Sequence, residues 1–207
     1  MAESFFVTRR LTFFFACLLF AAMCASAAAS GYPRVRHNPA DRLTTRPIEV
    51  DRYDYARRCV KHPSRGALAL QAWLQANVRG VPWGIMRCEK LSKHNYSLHA
   101  EGRAVDWHLD VHAPADRAAA EALIQLLLAP DSLGNPHALA RRMGIQEIIW
   151  NCHSWWSGGE GMEPYSVCYD RHGKRRKNVD ETLAHRNHVH LGLNLPGARL
   201  QTSFWRR

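Results

Sequence analysis

The 207-residue sequence has no CxxC pair, no internal repeat, no regular alternation of strand and helix signals and no clustered run of carboxylates. Each gap removes a class of protein. Without CxxC spacing a cysteine-based zinc site is not expected. Without βαβ alternation a doubly wound parallel sheet is not expected, which leaves an α+β chain, a small central antiparallel sheet flanked by helices. The missing carboxylate cluster argues against a two-metal nuclease, which holds Mg²⁺ through such groups. Acidic residues are also scarce, 18 against 28 Lys and Arg, for a net charge of +10. A surface of that sign raises encounter rates with polyanions.

Long apolar runs are missing too. The longest, Leu11 to Met23, follows Arg9-Arg10 and precedes the small residues Ala25-Ser26-Ala27. It falls short of the ~20 apolar residues of a membrane span and has the layout of an export signal over residues 1–30. No stable membrane span is expected after its cleavage, and the mature chain is expected to be secreted or periplasmic. Residues 31–50, rich in Arg, Pro, Thr and Asn without periodicity, read as a flexible arm. Residues 51–207 are of a length for one domain, expected to be monomeric.

Six cysteines are present, and Cys17 and Cys24 depart with the signal. The even remainder, Cys59, Cys88, Cys152 and Cys168, favours two disulfides in an exported chain, with three pairings open. Cys59–Cys88 and Cys152–Cys168 are preferred, because each closes a modest loop beside a motif considered below. Much of the basic charge lies in Arg171-His172-Gly173-Lys174-Arg175-Arg176-Lys177, which reads as a solvated loop and not as a reader of nucleic acid.

Helix signals run from an N-cap at Ser64 to about Val78, with Leu70, Trp73, Leu74 and Val78 on one face, and over Asp116–Leu128 and Pro136–Met143, the last stopped by Gly144. Strands are expected at Gly84–Cys88, from Arg103, at Ile145–Trp150 and at His188–Leu193. The stretch Asn151 to Val179 reads as a long, irregular, aromatic loop.

The densest polar stretch is SLHAEGRAVDWHLD, Ser97 to Asp110. Alternation places Ala104, Asp106, His108 and Asp110 on one face of the strand, and His99, before the turn at Gly102, can fold back over that face. An imidazole and a carboxylate supply two of the three protein ligands of a catalytic zinc site. In HRNHVHLGL, His188, His190 and Gly192 share a face while Val189, Leu191 and Leu193 face the other way. Two histidines on an otherwise apolar strand need partners, since an unsatisfied buried polar group costs ~1–3 kcal/mol.

Together these residues carry a family likeness. SxHxxGxAxD, present as Ser97, His99, Gly102, Ala104 and Asp106, followed far downstream by the HxH of His188 and His190, resembles the zinc peptidases that include D-alanyl-D-alanine carboxypeptidases, dipeptidases and phage L-alanyl-D-glutamate endopeptidases. Hedgehog-type and extensin-like domains share the pattern. The likeness is greatest to extensin-like and uncharacterised bacterial members and covers about Cys59 to Leu195. It implies His99, Asp106 and His190 as ligands of Zn²⁺ on the sheet face, and peptidoglycan or its stem peptides as the partner. Many relatives carry Asp or Glu three residues before the last ligand, where this chain has Asn187. In others the first histidine of HxH is the candidate base, here His188. Relatives also place an arginine on the strand before the motif, often as Cys-Arg. There it grips a substrate carboxylate or the developing oxyanion, and the resemblance implies Arg87 as its counterpart, although this chain reads Arg87-Cys88-Glu89, which would turn Arg87 from the site if the strand registers were equal.

Ser97 can bond ligand or substrate, or simply cap the loop. Trp155, Trp156 and Tyr165 are candidates to wall a cleft for peptide or sugar. His94, His108, His112 and His153 are more ordinary as exposed or hydrogen-bonded histidines than as ligands. The functions to weigh are an exported zinc peptidase of stem peptides, a non-catalytic zinc-bearing wall-binding domain, and a metal-dependent nuclease.

Overall fold

The computed structural model describes residues 38–93 and 95–206. The leader, the start of the arm and His94 lie outside the described residues. The sheet has six strands in the order β1-β2-β6-β3-β4-β5, paired antiparallel throughout. They are β1 (Val81–Gly84), β2 (Ala104–His108), β3 (Ile145–Trp150), β4 (His153–Trp156), β5 (Glu163–Pro164) and β6 (His188–Leu193). Helices α1 (Arg65–Asn77), α2 (Pro114–Leu128), α3 (Ala138–Met143) and α4 (Leu195–Ala198) accompany it. The chain is therefore α+β, as its patterning predicts.

Period-two alternation divides the sheet. Val105 and Trp107 of β2, Ile148 and Trp150 of β3, and Val189, Leu191 and Leu193 of β6 enter one core with Leu70 and Leu74 of α1, Leu123 and Leu127 of α2, and Leu139 and Met143 of α3. Asp106, His188 and His190 occupy the alternate positions and face the other side. In β3 the register shifts between Ile145 and Glu147. Ile145 thereby joins the core although Glu147, two residues on, faces away from it.

Helix α1 begins as its sequence dictates, with Ser64 Oγ accepting from the Ala67 N–H at 3.1 Å. Trp73 and Val78 pack half-buried against the core beside Leu70 and Leu74. Helix α2 starts at Pro114, two residues earlier than expected, because proline's fixed φ suits the first helical turn. Helix α3 starts two residues later than expected, because His137 sits in the left-handed region at φ 51°. Gly66 of α1 packs directly on α4: a Cβ added there would lie 2.1 Å from the Gly197 carbonyl oxygen and 2.7 Å from Ala198 Cα. Both contacts are backbone and cannot rotate away. Gly66→Ala is therefore expected to destabilise by about 1–3 kcal/mol, read as a fall in Tm of several degrees by calorimetry. An unchanged Tm would mean that the two helices separate without cost.

Three expectations need correction. The strand placed at Gly84–Cys88 is instead β1, ending at Gly84. Beyond it the chain leaves the sheet for the turn that carries His99: Ile85 accepts from the His99 ring, Arg87 N–H donates to His99 O at 3.4 Å, and Cys88 is bonded to Cys59. The arm is also not free over residues 38–50. Asn38 caps a 3-10 helix, Pro39–Leu43, whose Ala40 is buried, and Arg46 donates to the carbonyls of Ser203 and Arg206 at 3.0 and 2.6 Å. Order there comes from polar side chains reaching distant backbone, which periodicity does not register. Finally, the aromatic loop contains β4 and β5, and its disulfide is Cys152–Cys168. Both disulfides pair as expected.

Candidate metal centre

Strand pairing brings the site together. β2 and β6 run antiparallel with Asp106 opposite His190, so two residues 84 positions apart in sequence become cross-strand neighbours. His99 arrives from a 3-10 turn, Leu98–Glu101, whose N-cap Ser97 accepts from the His99 N–H at 3.3 Å. Gly102 ends that turn in the left-handed conformation at φ 61°, and a Cβ there would lie 2.8 Å from the His62 carbonyl. This glycine lets the chain reverse so that His99 lies back over Asp106.

Three ligand atoms then converge. His99 Nε2 and His190 Nδ1 each lie 3.0 Å from Asp106 Oδ1, and 3.1 Å from one another. A tetrahedral ion with ~2.0 Å bonds needs donors ~3.3 Å apart, close to this triangle. The ring orientations agree. His99 Nδ1–H donates to the Ile85 carbonyl at 2.9 Å, which leaves the Nε2 lone pair pointing inward. His190 turns Nε2 towards Glu147, 3.5 Å from Oε1, which favours a lone pair on Nδ1. Two lone pairs and a carboxylate oxygen, all buried, face one point. The group can hold a metal ion.

The charges buried around these groups act in the same direction. Burial works against a charged Asp106, yet hydrogen bonds with His190 and His99 outweigh it and hold the carboxyl well below the usual carboxylate range. Burial likewise disfavours charge on His190, but Asp106 and Glu147 overcome it and raise its pKa.

His188 stands beside this group, with its Nε2 3.6 Å from Asp106 Oδ1. Asn187 sets its tautomer: the amide Nδ2 donates to Thr182 Oγ1 at 3.0 Å, leaving Oδ1 to accept from His188 Nδ1–H at 2.9 Å. The Nε2 lone pair is then directed at the site. Burial pushes the His188 pKa down to about 4, so the ring is neutral at pH 7. Arg87 also reaches the centre, Nη1 lying 3.8 Å from Asp106 Oδ2 while Nε pairs with Glu89 at 3.0 Å. The expectation from equal registers fails because residues 85–88 are not in the sheet.

These groups open into a cleft of about 700 Å³. Ser97, Trp156 and Tyr165 line it, as proposed from sequence. Trp155 does not. It is fully buried in the core on the opposite face, with Nε1 donating to the Gly159 carbonyl at 3.1 Å, because adjacent residues of β4 point to opposite sides. His108 donates to the Asn187 carbonyl, His112 pairs with Glu181 and His153 donates to the Asn151 carbonyl, so none of the three joins the ligand group.

Three cleft residues escaped the sequence reading. Glu147 accepts from Tyr53 OH at 2.5 Å on Oε2 while Oε1 faces His190. Burial and the Glu147 charge raise the Tyr53 pKa, so the phenol stays a donor. His185, its pKa pushed to about 2 by burial, lies 4.6 Å from the His188 ring. Glu147 had left one signal, as the sole charged residue in the strand IQEIIW. Its side chain has room because Gly192 stands opposite, where a Cβ would lie 3.1 Å from Glu147 Cβ and 2.3 Å from Leu98 Cδ1.

Two disulfides are compatible with an oxidising, extracytoplasmic setting, and no helix among the described residues is long and apolar enough to cross a membrane. No curated protein and no solved structure matches the chain. A family model, described as VldE, C-terminal domain, matches residues 61–179, a span that includes His99 and Asp106 and ends before β6. Because that span is more than half of the sequence, the chain belongs to the VldE C-terminal domain family.

Proposed function

We propose that this protein is an exported zinc-dependent peptidase that hydrolyses amide bonds in the stem peptides of peptidoglycan. The observation that carries the reading is the buried triangle of His99 Nε2, Asp106 Oδ1 and His190 Nδ1 at the cleft, with both rings turned to present lone pairs. Two imidazoles and one carboxylate suit zinc better than Mg²⁺ or Ca²⁺, which prefer oxygen donors. A zinc ion held there supplies Lewis acidity towards a scissile carbonyl and towards water. The remaining work falls to the chain. His188 Nε2, unprotonated at neutral pH, accepts a proton from water and returns it to the leaving amine. Asn187 is no base, but it holds His188 in the tautomer that can act as one. Arg87 offers positive charge to a substrate carboxylate or to the carbonyl oxygen. Tyr53, Trp156 and Tyr165 supply aromatic wall for the substrate.

A wall-binding domain without turnover is the second reading, favoured by Asn187 at a position where many members of the zinc peptidase family that the chain resembles carry a carboxylate. Incubation of the zinc-loaded protein with muropeptides, followed by mass spectrometry, separates the two. Shortened or cleaved stem peptides that vanish on chelation are expected. Retention of the protein on the wall polymer without any fragment would leave the binding domain instead. Digestion of DNA on a gel, with muropeptides untouched, would point to the nuclease.

A further inference from the structure

Residues 181–186 separate two cavities. Thr182, Leu183 and His185 line the cleft, while Glu181, Ala184 and Arg186 line a second pocket of about 420 Å³ behind it. Its other walls come from Cys152 and from the end of the basic loop, including Arg175, Arg176 and Asn178. The loop is not a loose tail. Asp170 Oδ1 accepts from the N–H groups of His172 and Lys174, both at 2.9 Å, and Arg176 N–H donates to Cys168 O at 2.7 Å, beside the disulfide.

Charge in this pocket is unbalanced. Arg175 and Arg176 meet no carboxylate among the described residues, and Arg176 Nε only reaches the Tyr169 carbonyl at 3.2 Å. The single acid, Glu181, is already engaged: Oε1 accepts from Arg186 Nη1 at 2.7 Å, and Oε2 lies 3.2 Å from His112 Nε2. Arg186 is half satisfied, because its Nε is buried without a hydrogen-bond partner. A buried donor in that state calls for an acceptor. Three arginines among the residues lining one pocket, one of them with a buried N–H that lacks a partner, suit the several oxygens of a tetrahedral oxyanion better than a single carboxylate.

We propose that this pocket is a binding site for a phosphate group, held by Arg175, Arg176 and Arg186, separated from the cleft by one stretch of chain. A phosphate ester of an envelope polymer and free phosphate share this chemistry. The site does not depend on turnover or on the metal.

The test follows the arginine Nε–Hε signals by NMR while the full-length mature protein is titrated, at low ionic strength, with inorganic phosphate in one arm and a glycerol-phosphate oligomer in the other. A saturable shift of the Arg186 Nε–Hε signal is expected in at least one arm, and which arm saturates first identifies the source. The double variant Arg175→Ala/Arg176→Ala should weaken binding about tenfold or more, since charge-assisted forks are lost. Lys174→Ala/Lys177→Ala removes the same charge from the same loop and should change affinity by about twofold or less, as expected of screened surface charge. Equal weakening by the two double variants would reduce the site to diffuse charge and overturn the proposal. So would the lack of a saturable Arg186 shift in both arms, whatever the outcome of the muropeptide digest.

Discussion

Asp106→Ala is expected to abolish metal uptake while leaving a folded chain. Wild-type protein dialysed against zinc should carry about one ion per chain by elemental analysis, and the variant close to none. Asp106 is the hub of the triangle, since its Oδ1 is the atom that both imidazoles approach at 3.0 Å. Without it two neutral nitrogens face each other with no charge to balance a dication. Stability gives a second reading. Free zinc at a hundred times Kd stabilises a one-site protein by about 2.7 kcal/mol, which raises Tm by several degrees in a domain of this size. That rise should appear in the wild type and vanish in Asp106→Ala. Asp106→Asn keeps the shape and removes the charge, so it should lose most of the rise as well. Should both variants take up one zinc with an undiminished thermal shift, His99, Asp106 and His190 are not the ligands.

His188→Ala is expected to keep the metal and lose the reaction. General acid–base groups contribute about 10² to 10⁴ in rate, so kcat should fall by that range with zinc content unchanged. The prediction rests on position: His188 Nε2 lies 3.6 Å from Asp106 Oδ1, at the edge of the triangle and open to the cleft. Asn187→Ala frees the His188 ring to change tautomer and should lower kcat by a smaller factor, again without loss of metal. Turnover in His188→Ala equal to wild type would remove the histidine from the chemistry and move attention to Glu147, the other buried carboxylate at the centre. Loss of zinc in His188→Ala would instead make it a fourth ligand.

Much of this centre was legible because its signals are local. Strands β3 and β6 run over the residues that alternation assigned, Ser64 caps α1, and the disulfides pair as loop length suggested. Alternation also separated Asp106 and His190 from Val105 and Leu191. What escaped depends on the path of the chain between elements. Arg87 reaches Asp106 because the segment after β1 follows the His99 turn, and no pattern in Ile85 to Cys88 distinguishes that path from a strand. Trp155 and Trp156 are identical by composition, and only the phase of β4 sends one to the core and the other to the cleft. Tyr53 and Glu147 meet across 94 residues, and neither has a neighbour in sequence that announces the contact. The order of residues 38–50 likewise rests on Asn38, Arg46 and Glu49, each bonding to chain more than 90 residues away.

The place of β6 in the sheet also governs assembly. It follows every other strand in the sequence yet lies between β2 and β3, near the middle of the sheet. Without β6 the β1-β2 and β3-β4-β5 portions share no strand pairing, and His99 and Asp106 lack the third donor. Pairing of β6 with both β2 and β3 joins the two portions of sheet and also brings His190 to the group. A chain cut short before His188 would therefore lack both the strand that joins the two portions of sheet and the third member of the candidate metal group.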